Sequence, residues 1–121
     1  MGQTHRGVIV MSTFPDERSI TQVAYSAVAG RLCACVNFAE IRSIYSWKDR
    51  LEDQKEYLAL FKTTKKSAAK LKAEIVRLHP YEVPEIVELN MNDVSRSYLS
   101  WLIASSSANR ISKKRHNAAK R

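Results

Sequence analysis

The chain has 121 residues and a formal net charge of +8, and 45% of its residues are hydrophobic. This length fits one domain with a single modest core, and the composition is that of an ordinary globular protein. The longest apolar run is too short to cross a bilayer, and no apolar segment of signal-peptide length follows Met1. We therefore expect a cytoplasmic protein without a membrane partner.

Most of the positive charge lies in the last dozen residues, which contain no acid. Six basic residues lie there, which leaves about +2 for the remainder of the chain. Residues 105–121 are rich in Ser, Lys, Arg and Ala and have no apolar stripe, so we expect a disordered tail after one domain of residues 1–104. Such a tail contacts nucleic acid only non-specifically, through counterion release.

The first predicted elements are a buried strand and an amphipathic helix. Residues 8–11 form a continuous apolar run, which is typical of a strand buried on both faces. Pro15, Asp16 and Glu17 then open a helix, because proline and carboxylates suit a first helical turn. Gly30 is placed to end this helix. Its predicted inner face consists of Ile20, Val23, Ala24, Ala27 and Val28.

Two extended segments form a long predicted hairpin. Residues 32–47 alternate in polarity, with a bulge expected at residues 37–40, and residues 51–63 return after a turn at residues 48–50. The hairpin is longer than a small domain needs. Its aromatic side chains would lie near the open edges and the uncovered face of the sheet, which invites pairing with another copy. These aromatic residues are Tyr45, Trp47, Tyr57 and Phe61.

The remaining elements are a second helix, a strand and a short helix. Thr64 caps the second helix, and Pro80 forbids its continuation beyond His79. Residues 83–90 read as the fourth strand. The inward-facing residues of the two helices are Ala68, Leu71, Ile75 and Leu78 in the second, and Tyr98, Trp101 and Leu102 in the last. This order predicts an α+β fold, the ferredoxin-like split βαβ with an antiparallel sheet and helices on one face.

Several kinds of site are excluded by the residues present. No glycine-rich elbow surrounds a serine, and the three glycines are too far apart to form a phosphate-binding loop. Two cysteines cannot supply the four thiolates of an iron–sulfur cluster. The third strand contains no glycine, so the signature of an RNA recognition motif is absent.

The rigid segment at residues 79–85 is the strongest candidate for a site. Its two prolines hold one His, one Tyr and two carboxylates on a stiff path, although a plain connector between helix and strand is an alternative. His79 and Glu85 are candidate ligands for copper or zinc. Cys33 and Cys35 are alternative thiol ligands, or else buried structural thiols; their spacing along one strand face disfavours a disulfide.

Five segments of the chain resemble the CutA family of divalent-cation tolerance proteins, in the same order along the sequence. They read Ser-Thr-Phe-Pro-Asp-Glu at residues 12–17, Leu-Cys-Ala-Cys-Val-Asn at 32–37, Ser-Ile-Tyr-Ser-Trp at 43–47 with Leu-Phe-Lys-Thr at 60–63, His-Pro-Tyr-Glu-Val-Pro-Glu at 79–85, and Tyr-Leu-Ser-Trp-Leu at 98–102.

The resemblance implies a ferredoxin-like subunit that assembles as a homotrimer through hairpins and sheet edges. It also implies a cytoplasmic role in copper tolerance, without an enzymatic reaction. An inter-subunit cleft would then be lined by Tyr81, Glu82, Tyr45 and Trp47.

The family's copper ligands are only partly present in this chain. The resemblance implies a cysteine, a histidine and a glutamate as ligands. Here Ser12 replaces the cysteine, Leu78 replaces the histidine, and Glu85 is retained, with His79 as the nearest imidazole. We therefore expect weak or altered binding of divalent copper or zinc at Ser12, His79 and Glu85, and no organic cofactor. A trimeric signalling or scaffold protein of the PII kind, which binds a small anion or a partner protein, is the alternative.

Overall fold

A computed structural model describes residues 5–107 of the chain. It contains four strands and three helices in the predicted order. Their bounds are β1 (Gly7–Phe14), α1 (Glu17–Ala29), β2 (Cys35–Trp47), β3 (Arg50–Thr64), α2 (Lys65–Leu78), β4 (Val87–Asn90) and α3 (Arg96–Ser105). None of the helices within these residues is long and apolar enough to cross a membrane.

The strands form one antiparallel sheet in the order β2-β3-β1-β4. This order confirms the predicted α+β class and the split βαβ connectivity. Side chains of β1 alternate between the two faces of the sheet. Val10 and Phe14 face α1 and α2, whereas Met11 and Thr13 face the opposite side, which we call the open face.

The core lies between the sheet and the first two helices. Phe14 and Phe61 contribute the largest buried side chains of the sheet, and their rings are 6.5 Å apart. From the helices, the fully buried residues are Ile20, Val23, Ala27, Leu71 and Ile75. The 3.6-residue pattern therefore identified the inner faces correctly except at Val28, which is 41% exposed beyond the edge of the core.

Side-chain caps fix where both core helices begin. Asp16 accepts a hydrogen bond from the backbone N–H of Ser19 at 2.8 Å, and Thr64 accepts one from that of Ser67 at 3.4 Å. Each cap satisfies one of the free N–H groups of a first helical turn. At the end of α1, Gly30 is the cap residue, but Arg31 takes the left-handed conformation, with φ 60°.

Arg31 also holds the C-terminal end of α3. Its guanidinium group donates to the backbone carbonyl oxygens of Ala104 and Ser107. The hydroxyl of Ser67 donates to the carbonyl of Ser106. The packed domain thus continues to Ser107 and not only to residue 104 as predicted. The rest of the predicted tail lies outside the described residues.

The hairpin of β2 and β3 extends well past β1. Its register runs without interruption from Cys35↔Lys62 to Trp47↔Arg50, so the expected bulge at residues 37–40 is absent. Lys48 and Asp49 both have positive φ, 53° and 62°, which gives the tight turn whose twist suits a two-residue hairpin loop. β1 pairs with β3 only as far as Tyr57, so about 20 Å of the hairpin has no third strand. We call this part, residues 41–56, the free part of the hairpin.

The fourth strand is shorter than predicted. It begins at Val87 rather than at residue 83, since Pro84 has no N–H for a ladder and restricts the residue before it. Glu88 faces the helices and pairs with Lys65 at 2.7 Å and with Lys72 at 2.5 Å. This pair of contacts ties β4 to α2, while Val87 and Leu89 remain 37% and 44% exposed on the other face.

Candidate functional site

A cleft of about 810 Å³ lies on the open face, where the free part of the hairpin meets the segment after α2. The end of β1 forms its floor through Met11 and Thr13. The hairpin forms one wall, and residues 79–85, which we call the proline-containing segment, form the other. The wall residues are Ile41, Ser43, Ile44, Tyr45, Trp47, Glu56 and Leu58 from the hairpin, and Pro80, Tyr81, Glu82, Val83 and Glu85 from the segment.

His79 anchors the proline-containing segment to β1. It is the C-terminal cap of α2 and has an extended backbone, with ψ 135°, as expected for a residue before proline. Its ring stacks on Phe14 with centroids 4.2 Å apart and planes 21° apart. The ring Nε2 lies 2.9 Å from the carbonyl oxygen of Thr13. The segment is therefore fixed by contacts on the core side of the sheet.

Both ring nitrogens of His79 are engaged in hydrogen bonds. The backbone N–H of Tyr81 donates to Nδ1 at 3.1 Å, so Nδ1 carries no proton. Nε2 then carries the proton and donates to Thr13. Burial lowers the pKa of His79, although the hydrogen bond to Thr13 and the charge of Glu56 oppose that shift. A metal ion could bind this imidazole only after one of the two hydrogen bonds had broken.

Tyr81 connects the segment to the hairpin. Its hydroxyl donates to Oε2 of Glu56 at 2.5 Å, and Glu56 is only 5% exposed. Burial of the phenol raises the pKa of Tyr81, and the hydrogen bond to Glu56 raises it further. The hydroxyl thus remains protonated and acts as a donor. Glu56 was not among the residues predicted for the site, because its partner Tyr81 lies 25 positions away in the sequence.

The residues predicted for an inter-subunit cleft lie together in this one. Tyr45, Trp47, Tyr81 and Glu82 all contribute to its walls. Tyr45 is held by a hydrogen bond from its hydroxyl to Oε1 of Gln54, at 3.2 Å. The alternating pattern of the hairpin predicts only that residues 45 and 47 share a face of β2; that the cleft lies between subunits stays a prediction.

The three candidate metal ligands occupy different places. Glu85 is exposed and lines the cleft. Ser12 is fully buried, with its position in β1 between Val10 and Phe14 turning it toward the helices. Its hydroxyl has no hydrogen-bond partner within the described residues. Ser12 and Glu85 therefore lie on opposite faces, and no group of three potential ligands occurs within residues 5–107.

The two thiols lie outside the cleft. Cys33 precedes β2 instead of lying within it, and its fully buried position raises the pKa of its thiol to about 12. Cys35, the first residue of β2, is half-buried, and its Sγ lies 3.6 Å from Oδ1 of Asn37. Both are free cysteines. The predicted placement of both on one strand face is therefore wrong, because the strand begins two residues later than Cys33.

Comparison with known proteins identifies the family. The model of the CutA1 divalent ion tolerance protein family matches residues 8–105. The divalent-cation tolerance protein CutA of Pyrococcus horikoshii is 42% identical over 96 residues, 79% of this chain and 94% of that protein. The corresponding protein of Thermotoga maritima is 41% identical over 95 residues, which cover 78% and 94%.

Solved structures agree in fold. CutA1 from Pyrococcus horikoshii superposes with a TM-score of 0.80 at 39% identity, over 83% of this chain and 98% of that one. CutA1 from Oryza sativa gives a TM-score of 0.82 at 29% identity, over 88% and 98%. The similarity spans every described element from β1 to α3. The chain belongs to the CutA1 divalent ion tolerance protein family.

Proposed function

We propose that this chain forms a homotrimer that acts in divalent-cation tolerance and has no enzymatic activity. Membership of the CutA1 family is the observation that carries the functional part of the proposal. The trimer accounts for the free part of the hairpin, because a two-stranded ribbon in water is marginally stable without a covering surface.

Exposed apolar side chains support the assembly. Ile44 is 66% exposed and Leu51 84% exposed on the hairpin, while Val83 is 66% exposed beside the cleft. The outer edges of β2 and β4 are unpaired within the described residues, so each offers backbone groups to a neighbour. A neighbouring copy would cover these surfaces and turn the cleft into one between subunits.

We further propose that the inter-subunit cleft binds divalent copper or zinc weakly. Glu85 and Glu82 are its accessible carboxyl groups, and a second copy would supply the remaining ligands. His79 would contribute only by giving up a hydrogen bond, and Ser12 only through a rearrangement of the core. The anion-binding alternative gains no support from this subunit, whose cleft lining contains no Lys, Arg or His.

Two measurements test the proposal. Sedimentation velocity should give a mass three times the 13.8 kDa of one chain; a monomer would contradict the assembly. Calorimetric titration of Cu²⁺ and Zn²⁺ should give a small saturable heat that Glu85→Gln reduces and Glu40→Gln, elsewhere on β2, leaves unchanged. Equal, negligible heats for the wild type and Glu85→Gln would contradict metal binding at the cleft.

The cytoplasmic location is part of this proposal. A similarly folded structure, 23% identical, is described as the periplasmic divalent cation tolerance protein CutA from Archaeoglobus fulgidus, and at that identity the likeness concerns the fold alone. Cell fractionation with antibody detection distinguishes the two compartments. Recovery with a periplasmic marker would contradict the proposed location.

A further inference from the structure

We propose that the cleft on the open face binds a small organic cation, namely a primary ammonium group carried on an apolar body. The inference rests on the proposed function in one respect: the cleft belongs to the face that the trimer would cover. It adds a ligand class that differs from a metal ion. Three features of the cleft carry it: its charge, its rings and one buried carboxyl group.

The charge of the cleft favours a cation. Its lining includes the carboxyl groups of Glu56, Glu82 and Glu85 and contains no basic side chain. A cleft lined by carboxyl groups within low-dielectric walls concentrates ligands of positive charge. This complementarity excludes anions, and it leaves metal ions and organic cations as candidates.

The walls of the cleft favour an organic cation over a bare metal ion. Tyr45, Trp47 and Tyr81 provide three aromatic rings, whose faces attract ammonium groups. The ring of Trp47 already has the chain's own Lys48 Nζ at 5.7 Å from its centroid. Met11 and Leu58 add an apolar floor, and a volume of about 810 Å³ is ample for a small organic molecule. An apolar body would thus contact the floor while its charge lies near the rings.

Glu56 selects a cation that carries N–H groups. It is 5% exposed, and its Oε2 accepts the hydroxyl proton of Tyr81. Its Oε1 makes no hydrogen bond or ion pair to any residue that the structure describes. This oxygen is an open acceptor, and an ammonium N–H would form a charge-assisted hydrogen bond to it. A quaternary ammonium, which has no N–H, lacks this contact.

Phenethylammonium is the probe that tests the inference. It is titrated calorimetrically into the full-length, chelator-treated protein, with 2-phenylethanol as the uncharged isostere and N,N,N-trimethylphenethylammonium as the cation without N–H. We expect saturable binding of phenethylammonium that is about tenfold or more tighter than that of either comparison compound. No saturable heat, or equal affinity for phenethylammonium and 2-phenylethanol, would overturn the inference.

Variants locate the binding. Glu56→Gln retains an acceptor for Tyr81 and should weaken phenethylammonium binding about tenfold. Trp47→Ala and Glu82→Gln, both at exposed positions, should also weaken it, which covers the case in which Glu56→Gln fails to fold. Glu40→Gln, exposed on β2 and outside the cleft, is the control. Binding that none of the cleft variants weakens would overturn the assignment.

The mass of each sample, measured by sedimentation, distinguishes failure of this inference from failure of the proposed function. A trimer without phenethylammonium binding overturns the inference and leaves the trimer intact. A monomer contradicts the proposed assembly. The phenethylammonium titration then tests the inference by the same outcomes, because every residue invoked belongs to one subunit. If Cu²⁺ and Zn²⁺ give no saturable heat while phenethylammonium binds, the metal proposal alone is contradicted.

Discussion

Tyr81 and Glu56 join the two walls of the cleft through a hydrogen bond of 2.5 Å from the phenol hydroxyl to a nearly buried carboxyl group. The same segment is attached to β1 by His79, which bonds to the carbonyl of Thr13 and accepts from the N–H of Tyr81. The shape of the cleft thus depends on two side chains that lie two positions apart. Each gives a separate prediction.

Tyr81→Phe should lower the free energy of unfolding by about 1–3 kcal/mol, because it leaves Glu56 buried without a donor. Equilibrium urea unfolding measures the change. Tyr25→Phe is the matched control, since Tyr25 is 76% exposed on α1 and its hydroxyl has no hydrogen bond within the described residues. Equal effects of the two substitutions would show that the Tyr81–Glu56 contact contributes nothing to stability.

His79 should make stability fall under mildly acidic conditions. Its pKa in the folded protein is lowered from 6.5, so the unfolded chain takes up a proton first as the pH decreases. The contribution is complete above about pH 6.5 and is lost as the pH falls from there through the pKa of the folded state. Between pH 8 and pH 5, the free energy of unfolding should therefore fall less for His79→Gln than for the wild type. His5→Gln, which replaces an exposed histidine, is the matched control.

Much of the fold could be predicted because its patterns are local. The apolar periodicity of α1 and α2 and the proline after His79 each act within a few residues. The proline pair also indicated a rigid segment, and His79 attaches that segment to β1 through its hydrogen bonds with Thr13 and Tyr81.

The structural details that could not be predicted from the sequence depend on contacts between residues far apart along the chain. Arg31 adopts a left-handed conformation while its side chain binds Ala104 and Ser107, more than 70 positions later. Glu56 is nearly buried and accepts a hydrogen bond from Tyr81, 25 positions later, and Ser12 faces the helices rather than the cleft. A residue's type indicates which ligand it suits, but the face on which it lies depends on strand register.

Ser12→Ala should leave stability unchanged or raise the free energy of unfolding by about 1 kcal/mol. The serine hydroxyl is fully buried without a partner within the described residues, so its removal relieves a desolvation cost and leaves almost no cavity. Thermal and urea unfolding measure the change, with the exposed Ser46→Ala as control. A loss above about 1 kcal/mol would mean that the hydroxyl has a stabilising partner.

Cys35 should react with iodoacetamide at pH 8, and Cys33 should not. Only a thiolate is nucleophilic. A pKa of about 12 leaves the thiol of Cys33 almost entirely protonated at pH 8, and the side chain is also fully buried. Mass spectrometry of the native protein should find one adduct per chain, at Cys35. Cys35→Ser should give none, and both thiols should react in denaturant. An adduct at Cys33 in the native protein would contradict its burial.

Trp47→Asp should weaken assembly. Trp47 lies at the end of the hairpin, beyond the reach of β1, and is 41% exposed in one subunit. If a neighbouring copy covers it, a carboxylate there would be desolvated without a partner, which raises the dissociation constant by about tenfold or more. Sedimentation over a range of concentrations measures the change. Tyr25→Asp replaces an exposed aromatic residue on α1 instead, on the far side of the sheet, and should leave the mass unchanged. If both variants sediment as the wild type does, the free part of the hairpin is not the surface through which the subunits associate.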